Sequence, residues 1–382
     1  MTGIQDTIGI GLALLAFVAA GFTTAAAFAV GIGVRSARSA LRPAVPVTLL
    51  KPLHLAEAGL QDNLRSFLRQ DYEAPVQIVF GATSQTDPAL GVVESLRRDF
   101  PDADIEAVAD PKRLGTNPKV ANLINMAAHA KYDLLIVSDS DIRVPADYLR
   151  RIIAAFQEPN VGAVSLLYAG KALGNLWSKL AAMNIDYHFV PNARLGMALG
   201  LAHPCFGSTI ALRRRTLAEI GGFETLSDVL ADDYELGRAV RACGYRVIIA
   251  DCAVEHICSE ENALALFRQE VRWAKTNLLL ARSGYIGSIV TYPLPLALLA
   301  VLFQGFGALS LSALAWALAA RLFLVFKVRR RLGAGSSYVW LLPLRDVLSF
   351  FVYLASFFGK TVEWRGHRFS TGADGALAPL WR

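Results

Sequence analysis

Two stretches without a charged side chain, Ile8 to Val34 (27 residues) and Ser283 to Ala320 (38 residues), constrain this chain more than any motif in it. Each exceeds the roughly 20 apolar residues that cross a bilayer. Between them, Pro43 to about Arg282 has ordinary mixed composition and is long enough to form one large core of its own. Over all 382 residues, 54% are hydrophobic and 18% charged, where a soluble domain has about a quarter charged. The chain reads as a membrane-tethered globular domain, and a simple cytosolic globule is excluded.

The first run, 8–34, is expected to be an uncleaved anchor. It is too long for the apolar region of a signal peptide, is preceded by Asp6 rather than a basic cluster, and shows no clear cleavage pattern. Arg35, Arg38 and Arg42 follow it directly, and such residues tend to stay in the cytoplasm, so the large domain is expected on the cytoplasmic side. Part of the net charge of +6 lies in that trio and in Lys327 and Arg329 to Arg331, where it would meet anionic head groups of the lipid bilayer. A nucleic-acid partner is not needed to account for it. The four cysteines form no CxxC pair and would stay reduced in a cytoplasmic domain. Cys252, His256 and Cys258 lack a fourth ligand at standard zinc spacing and read as a strand-end coincidence.

As one helix the second run would span about 57 Å, nearly twice the hydrocarbon thickness. Gln304 to Gly307 falls near its middle, so a transmembrane hairpin over 286–327 is expected. The apolar stretch 338–359 is interrupted by Pro343, Arg345 and Asp346, which leaves crossing, re-entry and an interfacial position open. Basic residues flank it at Lys327 to Arg331 and at Lys360, Arg365 and Arg368, favouring both flanks in the cytoplasm, with 360–382 as a C-terminal tail.

In the middle of the chain, short apolar runs alternate with helical periodicity, the pattern of an α/β, mostly parallel sheet. Strands are expected near Val45 to Leu50, Val76 to Phe80, Ile105 to Val108 and Leu134 to Val137, and again at Val161 to Tyr168, Ser208 to Leu212 and Arg246 to Ala250. Ligands of such sheets collect beyond the carboxyl ends of the strands. Asp139-Ser140-Asp141 stands there, after Leu134 to Val137, and two carboxylates so spaced can share a divalent cation with substrate phosphates. A solvated turn explains the same residues. Asp232-Asp233 opens a helix that Gly244 stops, where acidic residues are equally at home as caps. Gln269, Arg272 and Trp273 share one face of a helix within 261–282, suited to a diphosphate and a sugar or to the membrane interface. Asn117 and Lys119 add an amide and a cation where the helix before Leu134 opens. No GxxxxGK[ST], GxSxG or HExxH motif occurs, nor a GxGxxG placed after a strand.

In order along the chain, Lys51-Pro52-Leu53, Asn63-Leu64 to Gln70-Asp71-Tyr72, Thr86-Asp87-Pro88-Ala89, Gly115 to Val120, Lys131 to Leu134 with Ser138 to Val144, Ala231 to Tyr234 and Gln269 to Trp273 form a series. The chain thereby resembles the ceramide glucosyltransferases and the related hopanoid-biosynthesis glycosyltransferases, membrane enzymes of the inverting nucleotide-sugar transferase group. The resemblance implies a Rossmann-like GT-A fold over 43–260, between N-terminal and C-terminal transmembrane helices. It also implies UDP-sugar as donor, a ceramide or hopanoid acceptor, Mg²⁺ or Mn²⁺, and a bacterial inner-membrane location. Residue by residue it assigns Asp87 to the nucleotide, Asp139 and Asp141 to the metal and diphosphate, Asp233 to the general base, and Gln269, Arg272 and Trp273 to the acceptor and diphosphate side. Asn117 and Lys119 fall within its matched series and are counted with the donor-binding residues. Some relatives that act on ceramide carry glycine where this chain has Asp141. Trp177 to Pro204, with Asp186-Tyr187-His188, is expected to line the acceptor site. Two other readings stay open: a processive polysaccharide synthase, which usually needs more spans, and a non-catalytic lipid-binding scaffold.

Overall fold

A computed structural model describes residues 2–31, 44–156, 158–332, 338–359, 361–364, 367–371 and 377–379. Arg35, Arg38, Arg42, Lys360 and Arg365 lie outside the described residues, as does the side chain of Arg368. The chain divides into two compact units, one of residues 1–32, 169–203 and 260–366, the other of 33–168, 204–259 and 367–382.

The second unit is built on an eight-stranded sheet: β1 Val47–Pro52, β2 Val76–Ala82, β3 Asp104–Ala109, β4 Leu134–Val137, β5 Ile142–Arg143, β6 Val161–Ala172, β7 Ile210–Arg213 and β8 Arg246–Cys258, in the order β3-β2-β1-β4-β7-β6-β8-β5. β1 pairs in parallel with β2 and β4, and β2 with β3, whereas β7 runs antiparallel to β4 and β6, and β5 to β8. The parallel half follows from its sequence. Successive residues of a strand face opposite sides, so Leu49 and Ile136 enter one core with the helices Leu60–Leu68, Ala89–Asp99 and Tyr148–Ala155, and Leu50 and Val137 enter another with Pro118–Ala127 and Asp232–Ala242. Strands covered on both faces read as unbroken apolar runs, which is why their positions follow so closely from the sequence. The chain's last residues, expected as a tail, include a pair of antiparallel strands, His367–Thr371 and Leu377–Pro379.

The first unit is helical. Thr2–Ala29 packs on Pro293–Gln304 and Ala308–Leu332 through a seam of small residues, Ala13, Ala16 and Ala19 against Ala297, Ala300, Ala313 and Ala317, the side chains that let apolar helices approach closely. Among the described residues three helices are long and apolar enough to cross a membrane, Gly3–Ala29, Ala308–Arg331 and Val339–Ser356. The expected hairpin differs in detail. A break does fall at Gly305 (φ +73°), but a second break bends Arg282–Thr291 against Pro293–Gln304 by 68°, where Pro293 and Pro295 start a new helix. The twelve residues of Pro293–Gln304 span about 18 Å, too short to cross alone. Residues 169–203, expected inside one continuous globular domain, belong to this helical unit and include a π-helical turn at Ile185–Phe189.

Candidate active site

At the carboxyl ends of β1 and β4 the chain turns on a buried lysine. Lys51, next to last in β1, has no exposed surface, and its ammonium donates to the Asp139 carbonyl (2.5 Å) and the Ser138 hydroxyl (3.3 Å) while standing 3.8 Å from the centre of the Phe67 ring. Asn63 holds the same turn from the helix side, its amide donating to the Ser140 carbonyl. The backbone of the Asp139 to Asp141 turn is thus fixed from below. Burial brings Lys51 down to about 7, against the opposing pull of Asp139, Asp141 and Glu57.

Above that turn, the Lys119 ammonium lies 2.8 Å from Asp139 Oδ1 and 3.3 Å from Asp232 Oδ2. Burial works against its charge, and the carboxylates of Asp139, Asp232 and Asp233 outweigh burial, holding it above the ordinary lysine range. Asp233 sits in the first turn of its helix, Oδ1 accepting from the Tyr234 N–H (2.8 Å) and Oδ2 from the Gly207 N–H (2.9 Å). A helix N-terminus favours an ionised carboxylate, yet burial first and Asp232 second raise Asp233 to about 6. Gly207 closes the group. A Cβ there would stand 3.3 Å from each of Asp139 Oδ2, Asp233 Oδ2 and Lys119 Nζ, so any larger residue would press on all three charged groups at once.

Asp141 points elsewhere on the same turn. The antiparallel pairing of Ile142 with His256 brings His256 Nδ1 to 3.6 Å from Asp141 Oδ2. Asp141 Oδ1 is shielded from solvent and has no hydrogen-bond partner among the described residues. An orphaned carboxylate oxygen beside an imidazole is a donor set that a hard or borderline divalent cation would satisfy. Among the described residues no three or more acidic, histidine or cysteine side chains cluster as a metal site. By that orphaned oxygen, Asp139 and Asp141 fit the expected metal.

Asp87 accepts the N–H groups of Leu55 (3.1 Å) and Ala89 (2.9 Å) at Oδ1, and pins Leu55 in the left-handed region at φ +62°. It shapes the loop after β1 at the carboxyl edge. Asn117 is fully buried, its Oδ1 capping the Pro118–Ala127 helix at the N–H groups of Lys119 and Val120, its Nδ2 donating to the Val229 carbonyl. With both ends of its amide engaged it ties Lys119 to the loop before Asp232. Gln269, Arg272 and Trp273 lie half-buried on the helix Ala263–Leu280 of the helical unit, which Asn262 caps. The structure thus brings together Asp139, Lys119 and Asp233 from the expected set. Lys51, Gly207 and His256 were not among the expected site residues. A lysine inside an apolar strand marks Lys51; Gly207 carries no local signal, and His256 pairs with Asp141, not with the cysteines beside it in sequence.

A mostly parallel sheet joined to an antiparallel extension, with paired aspartates beyond β4 and a second carboxylate at a helix start across a glycine, defines a glycosyltransferase of the GT-A type. The mannosyltransferase PcManGT from Pyrobaculum calidifontis, solved with GDP-Man and Mn²⁺, shares the fold at a TM-score of 0.54 and 20% identity, covering 93% of this chain and 99% of that one. The chain belongs to glycosyl transferase family 21, whose profile matches residues 11–377. Ceramide glucosyltransferase 1 of Caenorhabditis elegans is 24% identical over 355 residues, 88% of this chain and 74% of that protein. Ceramide glucosyltransferase of Komagataella phaffii (strain GS115 / ATCC 20864) is 33% identical over 113 residues, 28% of this chain and 22% of that protein. Beta-monoglucosyldiacylglycerol synthase of Synechocystis sp. (strain ATCC 27184 / PCC 6803 / Kazusa) is 25% identical over 198 residues, half of this chain and 39% of that protein.

Proposed function

We propose that this chain is a membrane-bound inverting glycosyltransferase that moves a hexose from a UDP-sugar to a lipid hydroxyl, with ceramide or a hopanoid as acceptor and the GT-A unit in the cytoplasm. The observation that carries the reading is the convergence of Asp139, Lys119 and Asp233 on Gly207, each with a charged atom 3.3 Å from where a Cβ on that glycine would stand. The curated relatives named for glucosylation of ceramide and diacylglycerol support a lipid acceptor.

Asp139 and Asp141 would hold Mg²⁺ or Mn²⁺, which supplies neutralisation of charge on the departing diphosphate. Asp233 accepts the proton of the acceptor hydroxyl as its oxygen bonds to the anomeric carbon, while the bond from that carbon to the diphosphate breaks on the opposite face. One base and one displacement invert the centre. Lys119 keeps Asp233 ionised near neutrality and holds the Asp139 carboxylate beside the space the donor enters. Gln269, Arg272 and Trp273 serve the diphosphate and acceptor side, arginine by paired hydrogen bonds to phosphate oxygens.

Turnover by detergent-solubilised protein with Mg²⁺ or Mn²⁺, with a panel of UDP-sugars offered against ceramide and a polyhydroxylated hopanoid, tests this. Glycolipid from the wild type and none from Asp233→Asn is the expected result. Folded, lipid-bound protein that turns over no donor would refute the reading in favour of a scaffold.

A further inference from the structure

Glu270 lies within the Gln269 to Trp273 motif but faces another way. The buried stripe of its helix is Leu266, Glu270 and Ala274. At about 100° per residue, the Gln269, Arg272 and Trp273 face is centred about 100° round the axis from Glu270. The Glu270 carboxylate, 4% exposed, receives both Nη groups of Arg345, 1% exposed, at 2.8 and 2.7 Å. Arg345 uses its remaining reach on the Ser349 hydroxyl and the Leu180 carbonyl. Its neighbour Asp346 receives a second fork, from Arg321 at 2.8 and 2.6 Å, and Arg321 also donates to the Tyr187 carbonyl in the π-helical turn. Adjacent charges on one helix therefore tie three other segments of this unit together.

A buried ion pair is a weak source of net stability, because desolvating both charges offsets their attraction. Its geometry is another matter, since a planar guanidinium fork meets a carboxylate in one orientation. We propose that Glu270 and Arg345 are a positioning pair for the transfer motif: their fork fixes the rotation of the Ala263–Leu280 helix and so the direction of Gln269, Arg272 and Trp273. This rests on the reading of those three residues as binding the donor diphosphate.

The test is calorimetric titration of purified protein with UDP in the presence of Mn²⁺, with thermal midpoints taken alongside, for wild type, Glu270→Gln/Arg345→Met, Arg345→Lys and Arg272→Ala. The neutral double variant is expected to unfold near the wild-type midpoint yet bind UDP about tenfold to a hundredfold more weakly, the scale of a misplaced binding group. Arg345→Lys, which keeps the charge and loses the fork, should weaken UDP in the same direction, and it decides by the same criterion if the double variant does not fold. Wild-type affinity in these variants, with Arg272→Ala weakened, overturns the positioning role while leaving the motif reading intact. Wild-type affinity in Arg272→Ala overturns the motif reading, and the inference with it.

Discussion

The Asp233 carboxyl sits near 6 because burial raises it and Asp232 adds to the rise, while Lys119 and the N–H groups of Tyr234 and Gly207 oppose. A rise from 3.8 to about 6 corresponds to about 3 kcal/mol between the two protonation states. The native state holds this proton more tightly than the unfolded chain. The associated stability is therefore fully present below pH 4 and is lost as pH climbs through about 6. Activity runs the opposite way, since a base works ionised: kcat/KM should rise through about pH 6 to a plateau. Two substitutions move that limb in opposite directions. Asp232→Asn removes the like charge and should lower it, and Lys119→Met removes the opposing ammonium and should raise it, each by about one pH unit. The assay is the initial rate at subsaturating UDP-sugar from pH 5 to 8, where the position of the limb is read independently of its height. Limbs that coincide with wild type in both variants, or move together, would mean that Asp233 is not the titrating group.

Asp233→Asn should be inactive yet more stable by about 1–2 kcal/mol at pH 7, read by thermal unfolding, because the charge penalty disappears and only one of two amide hydrogen bonds is lost. Gly207→Ala should keep the wild-type thermal midpoint, since no positive φ is involved, while its Cβ, 3.3 Å from three charged atoms, weakens UDP and Mn²⁺ binding at least tenfold by calorimetry. Asn117→Ala removes a helix cap and leaves the Val229 carbonyl without its donor, for a loss of about 2–3 kcal/mol; Asn117→Asp keeps the cap and should lose about half of that in the same unfolding assay.

What could be read from the sequence was what local pattern determines. Leu134–Val137 is a strand with the bounds its four apolar residues suggest, because both faces are covered, and Asp139 follows it where ligands of such sheets gather. The partners of these residues were not legible. Gly207 reaches Asp233 across 26 positions, and no neighbouring residue announces that a Cβ there would press on three charged groups. The burial that raises Asp233 to about 6 was not legible either, because it comes from residues packed around the helix start rather than from the helix itself. Asn117 was legible as polar at a helix start, but its tie to Val229, 112 positions away, was not.

Arg345 and Asp346 show the same limit from the membrane side. Read along the chain, two adjacent charges interrupt an apolar stretch, and an unpaired charge inside a bilayer is expensive, which left crossing, re-entry and an interfacial position open. Their partners lie far away in sequence, Glu270 at 75 positions and Arg321 at 25. Once paired, each charge is offset inside the helical unit and its hydrogen-bonding groups are engaged there. The helix Leu342–Ser356 therefore presents Leu344, Phe351 and Leu354 outward, with Arg345 and Asp346 buried behind them. A hydropathy sum over this segment counts two charges that its outer surface does not carry.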